Sequence, residues 1–387
     1  MNADFFSTSN LLKLFLRICL GILALVLVVE IVLWLFFRAT VNPVMTIHLK
    51  NKIPGMKEQV TLAVNSDEQL RSMNWTPGQK SPGSMRILCV GGNATLGQFQ
   101  NVEDTWWGQL AKKLEEKVPG TKIEIGANGT GGMLALPGAK WVGSFVQDWQ
   151  PDIIITNLGA GDVLTQPLEY RYDAKLYDRM PSFKRERSGV KELLLKISQL
   201  ARRSRASNAK SDAARLEYQI GAENYFTENY DKIRTEYAKL QTIPNPFRLS
   251  DADPRNEYVD GLKKLAEQAE AVGATLILTG EACVCKELMD DATARLRCTL
   301  MPATAGVQNK VVKVSSEWVV REIRRFHEAT ETLAAEKKLA FLDLNEIVPQ
   351  DPEHFVTETI LTDRGASVVA EKILPKVLPV VQKIVGK

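Results

Sequence analysis

Arg86-Ile-Leu-Cys-Val90-Gly-Gly-Asn-Ala-Thr95-Leu-Gly97 is the stretch that decides the fold. An apolar run stops abruptly at a glycine pair, the pattern of a strand buried on both faces that ends in a tight turn. Outward from it the chain alternates strand and helix. Thr105 to Lys117 reads as an amphipathic helix with Trp106, Leu110 and Leu114 on one side. Lys122 to Ile125 is a second strand, Leu136 to Trp149 a second helix, and Asp152 to Asn157 a third strand. Tyr258 to Val272 is a helix leading into a fourth strand, Ala274 to Leu278, and Ser315 to Lys337 a long helix leading into a fifth, Ala340 to Leu344. Arg364 to Val385 closes the chain as a helix, with kinks expected at Pro375 and Pro379. Such alternation predicts an α/β, three-layer sandwich around a parallel sheet of about five strands.

Ile18 to Phe37 reads ICLGILALVLVVEIVLWLFF, twenty residues with a single charge. At about 1.5 Å per residue this spans the ~30 Å hydrocarbon core of a bilayer. A cleaved signal peptide has a shorter apolar stretch ending in small residues, whereas this one ends in Trp34, Phe36, Phe37 and Arg38. The expectation is a retained single-pass anchor. Lys13 and Arg17 precede it and Arg38 follows, so the basic residues orient it weakly. The short tail before a large domain makes a cytoplasmic N-terminus the default, with the C-terminal domain periplasmic or otherwise extracytoplasmic. Glu30 interrupts the apolar run. It reads either as a protonated side chain near the outer interface or as a polar contact with a partner's transmembrane helix.

The predicted division is therefore a tail at 1–17, a transmembrane helix at 18–37, a connector at 38–84 and an α/β domain at 85–387. The connector holds Pro43, Pro54, Pro77 and Pro82, with one short strand expected at Gln59 to Val64. Residues 165–253 break the rhythm with charged helical segments and read as an insertion. With 49 basic and 46 acidic residues the net charge is +3, which excludes the one-signed surface of a nucleic-acid-binding protein. The basic clusters Lys184 to Arg187 and Arg202 to Arg205 read as solvated helix faces.

In an open parallel sheet the ligand site lies outside the carboxyl ends of the strands. After the first strand comes Gly91-Gly-Asn-Ala-Thr95-Leu-Gly97, and after the second Ala127-Asn-Gly129-Thr-Gly-Gly132. After the third comes Leu158-Gly-Ala-Gly161-Asp162, and before the last helix His354-Phe-Val-Thr357-Glu-Thr-Ile360-Leu-Thr-Asp-Arg-Gly365. In order and spacing these four blocks resemble those of the SGNH (GDSL-type) hydrolases, especially membrane-anchored bacterial members. Asp104-Thr105-Trp106 before the first helix is also similar. The resemblance runs from about Met85 to the C-terminus, outside the insertion. It implies a nucleophile in the first block, an oxyanion glycine in the second, Gly-x-Asn-Asp in the third, and the acid and base of a triad in the fourth.

The departures fall on the side chains that the chemistry requires. The nucleophile position is Asn93, whose carboxamide releases no proton to a base. Gly161 stands in the place of the third-block Asn; losing one such donor costs about 10²–10³ in turnover in other enzymes. Alignment on Leu361-Thr362 and Gly365 puts Thr357 in the Asp place and Ile360 in the His place. Gly129 survives as a backbone donor. Gly92, Asn93, Gly129 and Asp162 are the candidate binding residues.

Asp351-Pro-Glu-His354 is literally Asp-x-x-His, but His354 lies eleven residues before Gly365, whereas the family's His lies five before its Gly. Thr95, the nearest hydroxyl to Asn93, reads as a residue bonding its own turn. The glycines at 126, 129, 131 and 132 lack Gly-x-Gly-x-x-Gly spacing, and no cofactor is expected. Cys283, Cys285 and Cys298 lack the further ligands of a metal site, so no metal is expected; a Cys285–Cys298 disulfide fits an extracytoplasmic domain. Cys19 and Cys89 read as apolar fillers. The functional expectation is a non-catalytic binding or structural subunit of a membrane or envelope assembly. The alternative is an esterase or O-acetyltransferase/deacetylase acting on envelope glycans.

Overall fold

The computed structural model describes residues 15–22, 24–29, 44–65, 70–75, 80–97, 99–129, 133–164, 230–240, 242–244, 253–297, 301–302 and 311–386. The chain divides by contact into two units, Met1–Pro43 with Arg185–Leu216, and Val44–Lys184 with Glu217–Lys387. In the first unit, residues 15–22 and 24–29 are helical and their apolar side chains are exposed, Phe15 and Leu25 at 64%. Among the described residues no helix is long and apolar enough to cross a membrane. Glu30, the second half of the apolar run, both basic clusters and nearly all of the 165–253 insertion lie outside the described residues.

The second unit is built on β4 (Ser84–Gly91), which is buried along its whole length. Its side chains alternate between two cores. Leu88 and Val90 face one, and Met85, Ile87 and Cys89 face the other. That two-residue period places β4 inside the sheet, covered on both faces. It pairs in parallel with β5 (Lys122–Gly129) and β6 (Ile153–Asn157). β6 pairs in parallel with β8 (Thr275–Gly280), and β8 with β11 (Ala340–Asp343). The order across the sheet is β11-β8-β6-β4-β5-β3, with β3 (Arg71–Met73) antiparallel at the edge. The five parallel strands match the sequence expectation, and the sixth comes from the stretch read as connector. That stretch also forms a hairpin, β1 (Val44–Lys50) with β2 (Gln59–Asn65).

One face of the sheet is covered by α3 (Ala135–Trp149), α6 (Pro254–Ala271) and α8 (Ser316–Lys337), contributing Trp141, Trp149, Leu262, Tyr258 and Phe326. The other face is covered by α2 (Trp106–Lys117) and α9 (Asp363–Val385), through Trp106, Leu110, Leu114, Val369, Ile373 and Val377. Each large apolar side chain so buried contributes ~1.5–3 kcal/mol relative to exposure. The helices begin where their caps say they should: the side chains of Thr105, Asp253, Ser315 and Thr362 each accept a backbone N–H from the first turn. α9 runs as one helix through Pro375 and Pro379. β7 (Thr242–Ile243), β9 (Met301–Pro302) and β10 (Val311–Val314) form a small separate sheet that the sequence reading lacked.

A buried ion pair anchors the start of β4. The Arg86 guanidinium contacts Glu124 Oε2 at 2.6 Å, both side chains being fully buried. It also donates to the Trp149 carbonyl at 2.8 Å and lies 4.5 Å from the Trp75 ring centroid. Cys283 and Cys285 are buried free thiols, so Cys285 is not bridged in this structure; Cys298, the expected partner, lies outside the described residues.

Candidate functional site

The carboxyl ends of the parallel strands meet at one edge of the sheet. Gly91 is in register with both Gly129 and Asn157, and Gly280 with both Leu158 and Asp343. The first three sequence blocks are thereby brought side by side. After Gly91 the chain folds into a short helix, α1 (Asn93–Leu96), closed by Leu96 and Gly97 amides donating to the carbonyls of Gly92 and Asn93. Gly129 is required by this turn. A Cβ there would stand 2.2 Å from the Leu96 amide nitrogen, so the second block packs directly on the backbone of the first.

The fourth block reaches the same place. Residues 355–361 form a narrow loop, with a Phe355–Leu361 bridge and the Val356 amide donating to the Ile360 carbonyl at 2.7 Å. From this loop Thr359 Oγ1 accepts the Asn93 carboxamide N–H at 3.1 Å. Asn93 is therefore tied to the fourth block by a neutral hydrogen bond. Thr357 and Ile360 are buried. Ile360 packs in a small apolar cluster with Ile53, Phe99, Tyr230 and Val356. A side chain so placed accepts no proton and has apolar neighbours.

Asp162 has a local task. Its carboxylate accepts the Ala135 amide at 3.2 Å and so fastens the third block to the first turn of α3. Gly161 contributes no side chain, and its amide and that of Ala160 donate to Glu281. Glu281, the residue after β8, was not among the candidates from sequence. It is 1% exposed, and a Cβ built on Gly92 would stand 2.7 Å from its Oε1 and 3.2 Å from Oε2. Oε2 has no hydrogen-bond partner among the described residues. Burial, with a smaller push from the Asp162 charge, raises this carboxyl to about 8 against the pull of the two amides. At neutral pH it is a carboxylic acid. The one sequence signal for it is an acidic residue directly after the glycine that ends a central strand.

Two Asp–His pairs are present. His354 Nδ1 lies 2.7 Å from Asp351 Oδ1, but Asp351 also accepts the amides of Glu353 and His354, so the pair is a closed turn. His354 faces no serine in the first block, whose nucleophile position is Asn93. The second pair joins His327 of α8 to Asp343 at the end of β11, Nδ1 to Oδ1 at 2.9 Å. Burial raises the Asp343 carboxyl, but the His327 hydrogen bond and charge outweigh it and hold it below its ordinary value. The ring lies against Gly280, where a Cβ would stand 2.7 Å from Nδ1, and Nε2 has no partner. Sequence reading passed over His327 because it sits on the apolar side of an amphipathic helix. Among the described residues no group of three or more His, Cys, Asp or Glu is placed to hold a metal ion.

No protein-family model matches the sequence, and no curated protein does. Solved structures do. A carbohydrate acetylesterase family member from Sinorhizobium meliloti is 13% identical, with a TM-score of 0.41 over 78% of this chain and 100% of that one. The native aryl esterase of M. smegmatis is 11% identical, with a TM-score of 0.40 over 76% and 99%. A member of the lipolytic G-D-S-L family from Veillonella parvula is 12% identical, with a TM-score of 0.38 over 75% and 97%. Each of these is a protein to which the chain is similar, and the four sequence blocks lie at the carboxyl edge of its parallel sheet.

Proposed function

We propose that this chain is a non-hydrolytic, SGNH hydrolase-like binding or structural subunit of a membrane or cell-envelope assembly. Residues 18–37 anchor it in the bacterial inner membrane, and its α/β domain faces the periplasm. The observation that carries the non-hydrolytic reading is the bond from Asn93 to Thr359 at 3.1 Å, made where a nucleophile and its base would have to meet. Removing nucleophile and base together leaves only binding and backbone effects. The anchoring reading rests on the apolar run itself.

The test is twofold. A serine-directed fluorophosphonate probe should leave the full-length protein unlabelled, and ester turnover should stay at background. Purification from membranes in mild detergent should bring partner proteins along in fixed ratio. Clean labelling at the first block, or turnover abolished by Asn93→Ala, would overturn the reading.

A second reading is an esterase or O-acetyltransferase acting on envelope glycans. It draws on the Glu281 carboxylic acid beside Gly92, a proton donor within the first-block turn. Turnover lost in Glu281→Gln but kept in Asn93→Ala would select it.

A further inference from the structure

We propose that the carboxylic acid of Glu281 is an internal ligand, filling the hollow between the first-block and third-block turns that a small external carboxylic acid would otherwise take. This rests on the non-hydrolytic reading and says what has become of the space at the strand ends. Three observations place the group there. The Gly92 Cα faces the carboxyl so closely that a Cβ would lie 2.7 Å from Oε1 and 3.3 Å from Cδ. The Ala160 and Gly161 amides donate to it. The Glu281 amide itself donates to the Leu158 carbonyl at 3.2 Å, which fixes the stem between β6 and β8.

The fit depends on one absent side chain: Gly92 leaves room, and the acid from the end of β8 enters the space. Two amide donors with a carboxyl-sized hollow are a recognition site for one carboxyl group. The covalent link supplies that group at an effective concentration no free acid in solution would match.

The test measures stability, so its failure is distinct from failure of the non-hydrolytic reading, which would show as ester turnover. In the full-length protein in detergent, Glu281→Gly should lower the thermal midpoint by ~5 °C or more. Formate or acetate at pH 6 should restore it saturably, chloride at equal ionic strength should not, and wild type should respond to none of them. Gly92→Ala should lower the midpoint of wild type but not that of Glu281→Gly, where its methyl enters vacated space. Should Glu281→Gly not fold, Glu281→Asp makes the same comparison, because the shorter stem draws the acid back from Gly92. Gly92→Ala must then cost less in Glu281→Asp than in wild type. Equal cost in both backgrounds, or a response to formate no greater than in wild type, overturns the proposal.

Discussion

Asn93 donates its carboxamide N–H to Thr359 Oγ1 at 3.1 Å, joining residues 266 positions apart in sequence. A serine in the same place would hold a hydroxyl toward a loop that offers it no base. Thr359 is followed by Ile360, which lies among Phe99, Tyr230 and Val356.

Restoring the family's side chains therefore fails at first. Asn93→Ser with Ile360→His is expected to show no ester hydrolysis above background, because nothing orients the imidazole until Thr357→Asp is added. Ile360→His alone should lower unfolding free energy by about 2 kcal/mol, since it places a polar ring in an apolar cluster. Chemical denaturation beside an ester assay reads both effects, and hydrolysis by the double variant would refute the assignment of these positions.

Glu281 makes stability depend on pH. An unfolded glutamate titrates near 4.5 and the folded one at about 8. Below pH 4.5 both states hold the proton and its contribution is fully present. As pH rises through the window to about 8 the unfolded chain releases the proton and the folded chain does not. Stability then falls by up to ~1.4 kcal/mol per pH unit. Glu281→Gln should abolish that slope, and Asp162→Asn should narrow the window, because the Asp162 charge helps to raise Glu281. Other groups near this acid are Asp343, His327 and Tyr258, whose hydroxyl is pushed up chiefly by burial. Asp253, lowered to about 2 chiefly by its hydrogen bond from Arg255, acts in the opposite sense and only below pH 3.8. Denaturant unfolding at pH 5, 7 and 9 would show an unchanged slope in Glu281→Gln if the assignment is wrong.

Breaking the Arg86–Glu124 pair should be among the most damaging single changes. Both side chains are fully buried and their contact is 2.6 Å. Glu124→Ala strands a guanidinium beneath Trp75, and Arg86→Met strands a carboxylate; each should cost about 3–5 kcal/mol. Replacing both with apolar residues should recover a large part of the loss. A single variant with wild-type stability would show that the pair is dispensable.

Much of this architecture was legible because strand β4 announces itself: an apolar run that ends in Gly91-Gly92 has few other readings. Helix starts were legible from Thr105 and Ser315, whose side chains cap the turns that follow. β3 was not legible. Arg71-Ser-Met73 has no apolar alternation, and it is a strand only because β5 offers a free edge. Glu281 was illegible for a different reason. Its place depends on the space left by Gly92 and on the Gly161 amide, distant positions whose adjacency to it exists only after folding. Spacing put Ile360 in the His place, and the cluster that holds it, which draws on Ile53 and Phe99 from other segments, could not be read from that spacing.

Membrane topology is open to direct measurement. With the α/β domain in the periplasm as proposed, a C-terminal alkaline phosphatase fusion should be active and a C-terminal fluorescent fusion exported by the same route should be dark. The reverse pattern would place the α/β domain in the cytoplasm and remove the case for an envelope role.

The edge strand β3 gives the N-terminal segment a mechanical line to the strand ends. The segment before it holds to residues 99–104 through Asn51, Lys57 and Thr61, and β3 adds a tie to the sheet itself by pairing with Ile125 to Ala127. The same Arg71 donates to the Leu96 carbonyl, to that of Gly97 at 2.7 Å and to that of Gln100 at 2.8 Å. Peeling these three residues from the sheet's edge would therefore also loosen the turn that carries Asn93.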